Sequence, residues 1–260
     1  IPKTPKGHDI TFTDVTFRYP GAARPALDHV SFTVPEGSVA GLVGPSGGGK
    51  STAAALIPRF WDVESGSVRI GGVDVRDMDR RELMEQVAFV FQDTRLFKVS
   101  VLENIRMARP SATLEEIRSA AYAAQCDDIL EKLPQGIDTV VGTRGVYLSG
   151  GEAQRIALAR AILKDAPIVV LDEATAFADP ENEALIQKAF AKLMEGKTVL
   201  MIAHRLSTVK DVDSILVIEK GAVRERGTHD QLAAQGGLYA RMGRDYLQAA
   251  AWKVGKEAAG

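Results

Sequence analysis

Glycines, a lysine and a serine occur at positions 44–51 with a spacing suited to holding phosphate. These residues are Gly44, Pro45, Ser46, Gly47, Gly48, Gly49, Lys50 and Ser51. They fit the pattern G-x-x-x-x-G-K-[ST] and lie between an apolar run and a segment of helical character. Glycines let successive backbone N–H groups point at phosphate oxygens, and a helix N-terminus adds about half a positive charge. We therefore predict a phosphate-binding loop in which Lys50 neutralises the β and γ phosphates of a nucleotide.

Two carboxylates follow the apolar run 168–171, at the end of a predicted strand, where open α/β sheets bind ligands. Asp172 and Glu173 point to opposite faces of that strand, so they cannot share one role. Because Mg²⁺ prefers oxygen ligands, we expect Asp172 to hold it together with the Ser51 hydroxyl. Glu173 would then orient and polarise an attacking water.

Short apolar or alternating runs bounded by turn residues predict the strands that must position these groups. In the first part of the chain the runs are 10–12, 30–34, 38–43 and 67–70. The last of them is expected to form a hairpin with 73–75 around the Gly71-Gly72 turn. The phosphate loop therefore follows directly on a strand.

Helical spacing of Leu, Ile and Ala dominates between about residues 102 and 163, with breaks at Arg109-Pro110 and Leu133-Pro134. After it come two apolar runs, 168–171 and 198–202, separated by a helix that begins at Pro180. Strands buried on both faces and alternating with helices indicate a parallel sheet. The pattern predicts an α/β core that carries an inserted helical subdomain.

Composition narrows the class of protein. The chain has 260 residues, 45% of them hydrophobic, and 32 Lys and Arg nearly balance 34 Asp and Glu for a net charge of −2. A chain of this kind can bury a core, and nothing in its global charge favours a nucleic-acid partner. The single cysteine, Cys126, excludes an intramolecular disulfide and is expected to be a small buried side chain. No stretch approaches the roughly 20 apolar residues of a membrane span, and residues 1–8 lack the apolar core of a signal peptide.

A further segment identifies the family. Leu148-Ser149-Gly150-Gly151-Glu152, followed by Ala153-Gln154-Arg155, opens an amphipathic helix shortly before the acidic strand. This segment resembles the signature of ATP-binding cassette (ABC) ATPases. The resemblance extends from Tyr19 to about Met242 in the order of the family.

The resemblance implies that the chain binds ATP with Mg²⁺, and it assigns roles to individual residues. Tyr19 matches the aromatic that stacks on adenine, Gln92 the Q-loop glutamine, Asp179 the D-loop aspartate and His204 the switch histidine. The implied catalytic residues are Glu173, His204 and Lys50. The implied Mg²⁺ ligands are Ser51, Gln92 and Asp172. The implied ATP-binding residues are Tyr19, Gly44, Pro45, Ser46, Gly47, Gly48, Gly49, Lys50, Ser51, Thr52 and Gln92. The residues implied to act on the ATP of a partner subunit are Ser149, Gly150, Gly151, Glu152 and Asp179.

Three further segments, 101–105, 133–138 and 227–239, are similar to the nucleotide-binding domains of exporter-fold ABC transporters. The resemblance implies a head-to-tail pair with a second ABC domain, identical or not, and a transmembrane domain that precedes the chain on the same polypeptide. ATP hydrolysis would power substrate translocation by that domain. The chain would lie at the cytoplasmic face of the inner membrane, would be soluble when isolated, and would have no nucleic-acid partner.

The same resemblance implies a fold and its division. The expected fold is α/β: a P-loop NTPase (RecA-like) core with a mostly parallel sheet, an N-terminal antiparallel β subdomain and an inserted helical subdomain. The expected boundaries are a linker at 1–8, the ATPase core at 9–92 and 164–238, the helical subdomain at 93–163, and a helical tail at 239–260.

The chain departs from the family pattern at three places. Glu152 replaces a glutamine, Thr143 replaces a glutamate tied to communication with the membrane domain, and 176–178 reads Ala-Phe-Ala before Asp179 where Ser-Ala-Leu is common. The catalytic residues are intact. Loops 152–154 and 176–180 resemble a bacterial branch that handles iron–siderophore complexes on an exporter-type scaffold.

Two other function classes remain as alternatives. ATPases of DNA repair and chromosome organisation share the signature, but they carry a very long coiled coil or zinc modules between the two halves of the ATPase. The stretch from Lys50 to Ser149 lacks heptads and the set of cysteines that a zinc module needs. A catalytically idle regulatory cassette is the second alternative, and the intact Lys50, Asp172, Glu173 and His204 argue against it.

Overall fold

The computed structural model describes residues 1–90, 94–142, 146–172 and 180–257. Within these residues the strands are β1 (Ile10–Phe17), β2 (Leu27–Val34), β3 (Val39–Val43), β4 (Ser65–Ile70), β5 (Val73–Asp74), β6 (Val87–Val90), β7 (Ile168–Asp172), β8 (Thr198–Ile202), β9 (Ser214–Glu219) and β10 (Ala222–Gly227). The α-helices are α1 (Lys50–Leu56), α2 (Arg80–Gln86), α3 (Val101–Arg106), α4 (Leu114–Ala123), α5 (Asp127–Lys132), α6 (Gly150–Lys164), α7 (Pro180–Met194), α8 (His229–Gln235) and α9 (Leu238–Glu257). Short 3₁₀ helices occupy Val75–Asp77, Gly136–Asp138 and Leu206–Val209.

The strands form two sheets. One has the order β2-β1-β4-β5, in which each described pair is antiparallel, and the other has the order β10-β9-β3-β8-β7-β6. In the second sheet β3 runs parallel to β9 and β6 parallel to β7, whereas β10 is antiparallel to β9. The predicted mixed α/β fold, with an N-terminal antiparallel sheet and a mostly parallel sheet, is confirmed.

By its internal contacts the chain divides into two compact units, Ile1–Asp79 with Leu200–Gly260 and Arg80–Val199. In the first unit the antiparallel sheet buries Phe12 against Phe32, whose rings stack with centroids 4.4 Å apart. The predicted hairpin is present, because Ile70 pairs with Val73 in the β4–β5 ladder. The subdomain boundaries implied by the family resemblance stay a prediction.

Strand β3 brings the chain to the phosphate loop. Its residues Leu42 and Val43 are fully buried, and a Cβ on Gly41 would lie 2.7 Å from Val209 Cγ1. Only a glycine therefore lets the segment after β8 pack so closely against this strand. The backbone then turns out of the sheet at Gly44 and enters α1 at Lys50.

In the second unit α3, α4 and α7 pack around α6. Arg155 on α6 is 1% exposed. Its guanidinium donates to both carboxylate oxygens of Asp128 (2.5 and 3.0 Å), to the Gln125 carbonyl (2.5 Å) and to Asn182 Oδ1 (2.7 Å). Because Asp128 belongs to α5 and Asn182 to α7, one buried cation connects three helices.

Most predicted elements are found, and three strands lie outside the predicted runs. The runs 168–171 and 198–202, the helix start at Pro180 and the helical tail correspond to β7, β8, α7 and α9. The additional strands are β6, β9 and β10. A continuous apolar run at 215–218 was a sufficient signal for β9, which lies between β10 and β3 and is buried on both faces. By contrast, β6 has only four residues and follows α2 directly, so the sequence is too short there to show the hydrophobic pattern of a strand.

Cys126 is buried at the start of α5, as expected from the sequence. Burial raises the pKa of its thiol to about 12, so the thiolate that would react or bind metal does not form at neutral pH. Within the part of the chain described, none of the helices combines the length and the apolar character needed to cross a bilayer.

The Arg155–Asp128 pair generates a stability prediction. Asp128→Asn should lower the free energy of unfolding at pH 7 by about 1–3 kcal/mol, because the buried guanidinium loses its charged partner while half-exposed Asp128 lets water replace part of the interaction. The control is Asp127→Asn, an exposed neighbour at the same helix start, which should change stability by no more than about 0.5 kcal/mol. Urea unfolding measures both variants.

The pH dependence of that difference follows from the pKa of Asp128. The hydrogen bonds from Arg155 hold this pKa below its ordinary value of 3.8. A carboxyl whose pKa is lower in the folded state than in the unfolded state stabilises the fold at pH values above its unfolded-state pKa. This stabilisation is lost as the pH falls through its folded-state pKa. The difference between parent and Asp128→Asn should therefore be constant between pH 7 and about pH 5 and shrink below about pH 4. An unchanged difference there would show that charge pairing is not its source.

Candidate active site

The glycine loop lies between β3 and α1 and is shaped by close backbone contacts. Gly44, Gly47 and Gly49 have positive φ values of 145°, 75° and 108°. A Cβ on Gly44 would lie 2.0 Å from the Ile218 carbonyl oxygen, and one on Gly49 would lie 2.6 Å from that of Ala26. Side chains at these two positions are excluded by contact as well as by conformation. The loop backbone curls back on itself here, and the Gly48 N–H donates to the Pro45 carbonyl at 3.2 Å.

Lys50 begins α1 with its side chain folded over this loop. It is 7% exposed, and its ammonium donates to the carbonyls of Gly44 (2.6 Å) and Pro45 (3.1 Å). A cation beside a glycine loop at a helix start is complementary in charge to a phosphate group. The adjacent Ser51 is exposed and offers an oxygen of the kind that Mg²⁺ binds.

Tyr19 is fixed beside the same helix. Its hydroxyl lies 2.8 Å from Thr52 Oγ1, and its ring meets Trp61 and Phe17 edge to face at centroid distances of 5.5 and 4.9 Å. Thr52 is buried, so the hydrogen bond holds the half-buried tyrosine to α1. Trp61 is 42% exposed and adds aromatic surface that sequence reasoning did not assign. The sequence around Trp61 does not indicate that it lies beside Tyr19, because the two rings meet only in the folded chain.

His204 follows β8, the neighbour of β3 in the sheet. The backbone N–H of Ala203 donates to the Leu42 carbonyl at 2.9 Å, which fixes the end of β8 beside the strand that leads into the glycine loop. The carboxyl ends of adjacent parallel strands form the ligand-binding edge of such sheets. The exposed His204 therefore stands at the same edge as the glycine loop.

In the second unit, Asp172 is the last residue of β7, whose four preceding residues are fully buried. Its carboxylate emerges where a buried strand ends, as predicted. Three other predicted site residues, Gln92, Glu173 and Asp179, lie outside the described residues, as do Thr143 and the 176–178 departure.

The signature segment forms the beginning of α6. Ser149 is the N-cap: its Oγ accepts from the Glu152 N–H at 3.2 Å, while Glu152 Oε1 accepts from the Ser149 N–H at 3.0 Å. This reciprocal capping box fixes the first turn. A Cβ on Gly151 would lie 3.0 Å from Asn182 Cγ, so glycine allows α7 to pack closely there. Ser149 and Gly150 are exposed.

The described residues thus place the glycine loop, Tyr19, Thr52 and His204 in the first unit, and Asp172 and the signature residues in the second. The first set comprises the glycine loop, aromatic surface beside it and an imidazole. The second set comprises an exposed helix start and a strand-end carboxylate.

Comparison with known proteins identifies the family. A protein-family model described as ABC transporter matches residues 27–176. The ATP-dependent lipid A-core flippase of Vibrio cholerae is 48% identical over 237 residues, which cover 91% of this chain and 41% of the relative. The mycobactin import ATP-binding/permease protein IrtA of Mycobacterium tuberculosis is 50% identical over 234 residues, which cover 90% of this chain and 27% of that protein.

A solved structure gives the same answer for the fold. The structure of a bacterial Atm1-family ABC exporter with ATP bound superposes with a TM-score of 0.87 at 40% identity, covering 94% of this chain and 43% of that one. The chain therefore spans less than half the length of the relatives it matches. The resemblance found in the sequence is confirmed: the chain belongs to the ABC transporter family, as a nucleotide-binding domain of the exporter type.

Proposed function

We propose that the chain binds MgATP and hydrolyses it to ADP and phosphate, and that this reaction powers transport by an attached membrane domain. The observation that carries the proposal is the glycine loop after β3, in which Lys50 is buried over a backbone that has no room for side chains at Gly44 and Gly49. Its place in an ABC transporter domain makes the ligand a nucleoside triphosphate.

The proposed chemistry is in-line attack of water on the γ-phosphorus. Glu173 orients the water and accepts its proton, while the new P–O bond forms and the bond to the β–γ bridging oxygen breaks. The negative charge on the departing ADP oxygen is stabilised by Lys50 and the loop N–H groups, and His204 contacts the γ-phosphate. Ser51, Gln92 and Asp172 are the residues proposed to hold Mg²⁺, which would neutralise phosphate charge when bound.

We further propose that two ABC domains pair head to tail, so that the start of α6 meets the ATP held by the partner. The support is the exposure of Ser149 and Gly150 at a capped helix start, which offers N–H groups and a dipole to an anion. The glycine loop of the same chain begins a different helix, α1, and has its own lysine. An exposed second anion-binding helix start is explained by an ATP supplied in trans.

The attached membrane domain is proposed to dock in an apolar groove of about 600 Å³ in the second unit. Phe97 is 57% exposed on its rim, and the Arg160 guanidinium lies 6.0 Å from the centre of its ring. Asn104, fully buried, bonds both the N–H and the carbonyl of Phe97 (2.9 and 3.0 Å), which fixes the backbone of this aromatic. An exposed aromatic on a rigid backbone has the character of an interface anchor.

The length and names of the relatives support this partner. The matched domain makes up 25–41% of the flippase and importer relatives, which leaves most of each polypeptide for another domain. We propose that this chain acts at the cytoplasmic face of the membrane. For the cargo, we propose an iron–siderophore complex, because relatives named for mycobactin import are 50% and 52% identical to this chain.

Glu173→Gln should keep nucleotide affinity and reduce steady ATP turnover to at most a few per cent of the parent. The amide preserves the shape of the side chain but cannot polarise the attacking water. Phosphate release and nucleotide titration on the purified chain measure the two properties. Lys50→Ala is the contrast, since it removes the charge facing the phosphates and should weaken binding itself. Sustained turnover in Glu173→Gln would exclude the catalytic role, and unchanged affinity in Lys50→Ala would exclude the phosphate contact.

If the start of α6 acts on the ATP held by the partner, two inactive variants should complement each other. Lys50→Ala and Ser149→Arg chains should each be inactive, but a mixed pair contains one composite site with both defects and one with neither. Mixing them should therefore restore part of the ATPase activity. The measurement is phosphate release from the mixture, with mixed pairs verified by differently tagged chains. A mixture that forms mixed pairs yet stays as inactive as its components would contradict pairing in trans.

Phe97→Ala should leave ATP hydrolysis by the 260-residue chain within about twofold of the parent, a change of only about 0.4 kcal/mol in the barrier. In the full transporter it should abolish substrate-stimulated ATPase activity, because truncating an interface anchor costs about 2 kcal/mol or more. Tyr246→Ala is the control: this aromatic on α9 is 46% exposed and does not line the groove. Lower activity or melting temperature of the Phe97→Ala chain would make Phe97 a structural residue. Parent-like behaviour in both assays would remove it from the interface.

A further inference from the structure

The helix start proposed to meet ATP in trans carries a carboxylate. Glu152 stands where the family pattern has glutamine, and its Oε1 lies 3.0 Å from the Ser149 N–H. The side chain is 17% exposed, so solvent screens it only in part. Lys132 lies near it, with Nζ 4.0 Å from Oε2, but this lysine is 70% exposed and neutralises the carboxylate weakly.

The surroundings of this helix start are also acidic. A cavity of about 800 Å³ opens beside Ser149. The carboxylates that line it are Asp127, Asp128, Glu152 and Glu181, and the cations are Lys132 and Arg155. The Arg155 guanidinium is already bonded to Asp128. Among the described residues that line the cavity, carboxylates outnumber cations, so an approaching anion meets a lining of net negative charge on this side of the helix start.

The capping box decides which donors an approaching phosphate would find. The Ser149 N–H is bonded to Glu152, and the Glu152 N–H is bonded to Ser149 Oγ. Among the described residues, the donors that remain at this helix start are the Ser149 hydroxyl proton and the N–H groups of Gly150 and Gly151. A carboxylate in the first turn offsets the positive end of the helix dipole on which these donors rely.

We propose that Glu152 is an affinity-setting residue, which weakens the attraction between the start of α6 and the γ-phosphate of ATP on a second ABC domain. The inference rests on the proposed pairing in trans. A weaker attraction lowers the stability of the ATP-bound pair, so the two domains separate more readily. Glu152 acts through charge while its cap keeps the geometry of Ser149 intact.

Replacing Glu152 with glutamine removes the negative charge but keeps the geometry of the cap, because the amide oxygen can still accept from the Ser149 N–H. The test uses the 260-residue chain with Glu173→Gln, which prevents hydrolysis, in saturating MgATP at low salt. Adding Glu152→Gln should lower the dissociation constant of the dimer by about threefold per site, or about tenfold in total, because each of the two composite sites contains one Glu152. Sedimentation equilibrium measures this constant. The effect should shrink at about 0.5 M salt, where the Debye length becomes almost as short as the distance between atoms in direct contact.

Matched variants isolate the site. Glu115→Gln removes an exposed carboxylate of α4 in the same unit and should leave the dissociation constant unchanged. Lys132→Met removes the cation beside Glu152 and should raise the constant. A Glu152→Gln change of less than about 1.5-fold, or an equal effect of Glu115→Gln, would overturn the inference and leave the proposed pairing in place. If the Glu173→Gln chain forms no ATP-dependent dimer, the pairing fails and the inference fails with it.

Discussion

Close backbone contact around the glycine loop is the constraint on which the site depends. The carbonyls of Ile218 and Ala26 occupy the space that side chains on Gly44 and Gly49 would need. Because these carbonyls belong to the segments that pack against β3 and α1, any side chain there would displace both the loop and its supports. The loop can curl only where the neighbouring backbone is fixed, and in that conformation it buries the Lys50 ammonium at the start of α1. The phosphate contact that we propose for Lys50 thus depends on how the surrounding backbone packs.

In the second unit, a buried cation fixes the helices to one another. Arg155 fixes α6 to α5 and α7, and Gly151 lets Asn182 approach the first turn of α6. Removing one partner of such a pair is costly, since the other charge stays buried. The position of Ser149 is consequently set by two kinds of contact, the local capping box and the interhelical network.

The two helix starts that we propose to bind anions differ in charge, and this difference organises the proposed mechanism. Helix α1 begins with a lysine, so its loop can hold the triphosphate within one chain. Helix α6 has Glu152 in its first turn and offers hydrogen-bond donors with a reduced attraction for anions. One helix start is suited to retaining the nucleotide, and the other to a contact that forms and is released within a catalytic cycle.

The sequence by itself determined the glycine loop, β7, β8, the start of α7 at Pro180 and the exporter-type family. These features are encoded in consecutive residues, where glycine conformation, apolar period and capping act over a few positions. Tertiary structure alone decided that Trp61 meets Tyr19, that Phe97 stands exposed on a groove and that Arg155 binds Asp128. Each of these contacts joins residues far apart in sequence or depends on which neighbours cover a side chain. Local patterns do not contain that information, because burial and pairing follow from packing of the whole chain.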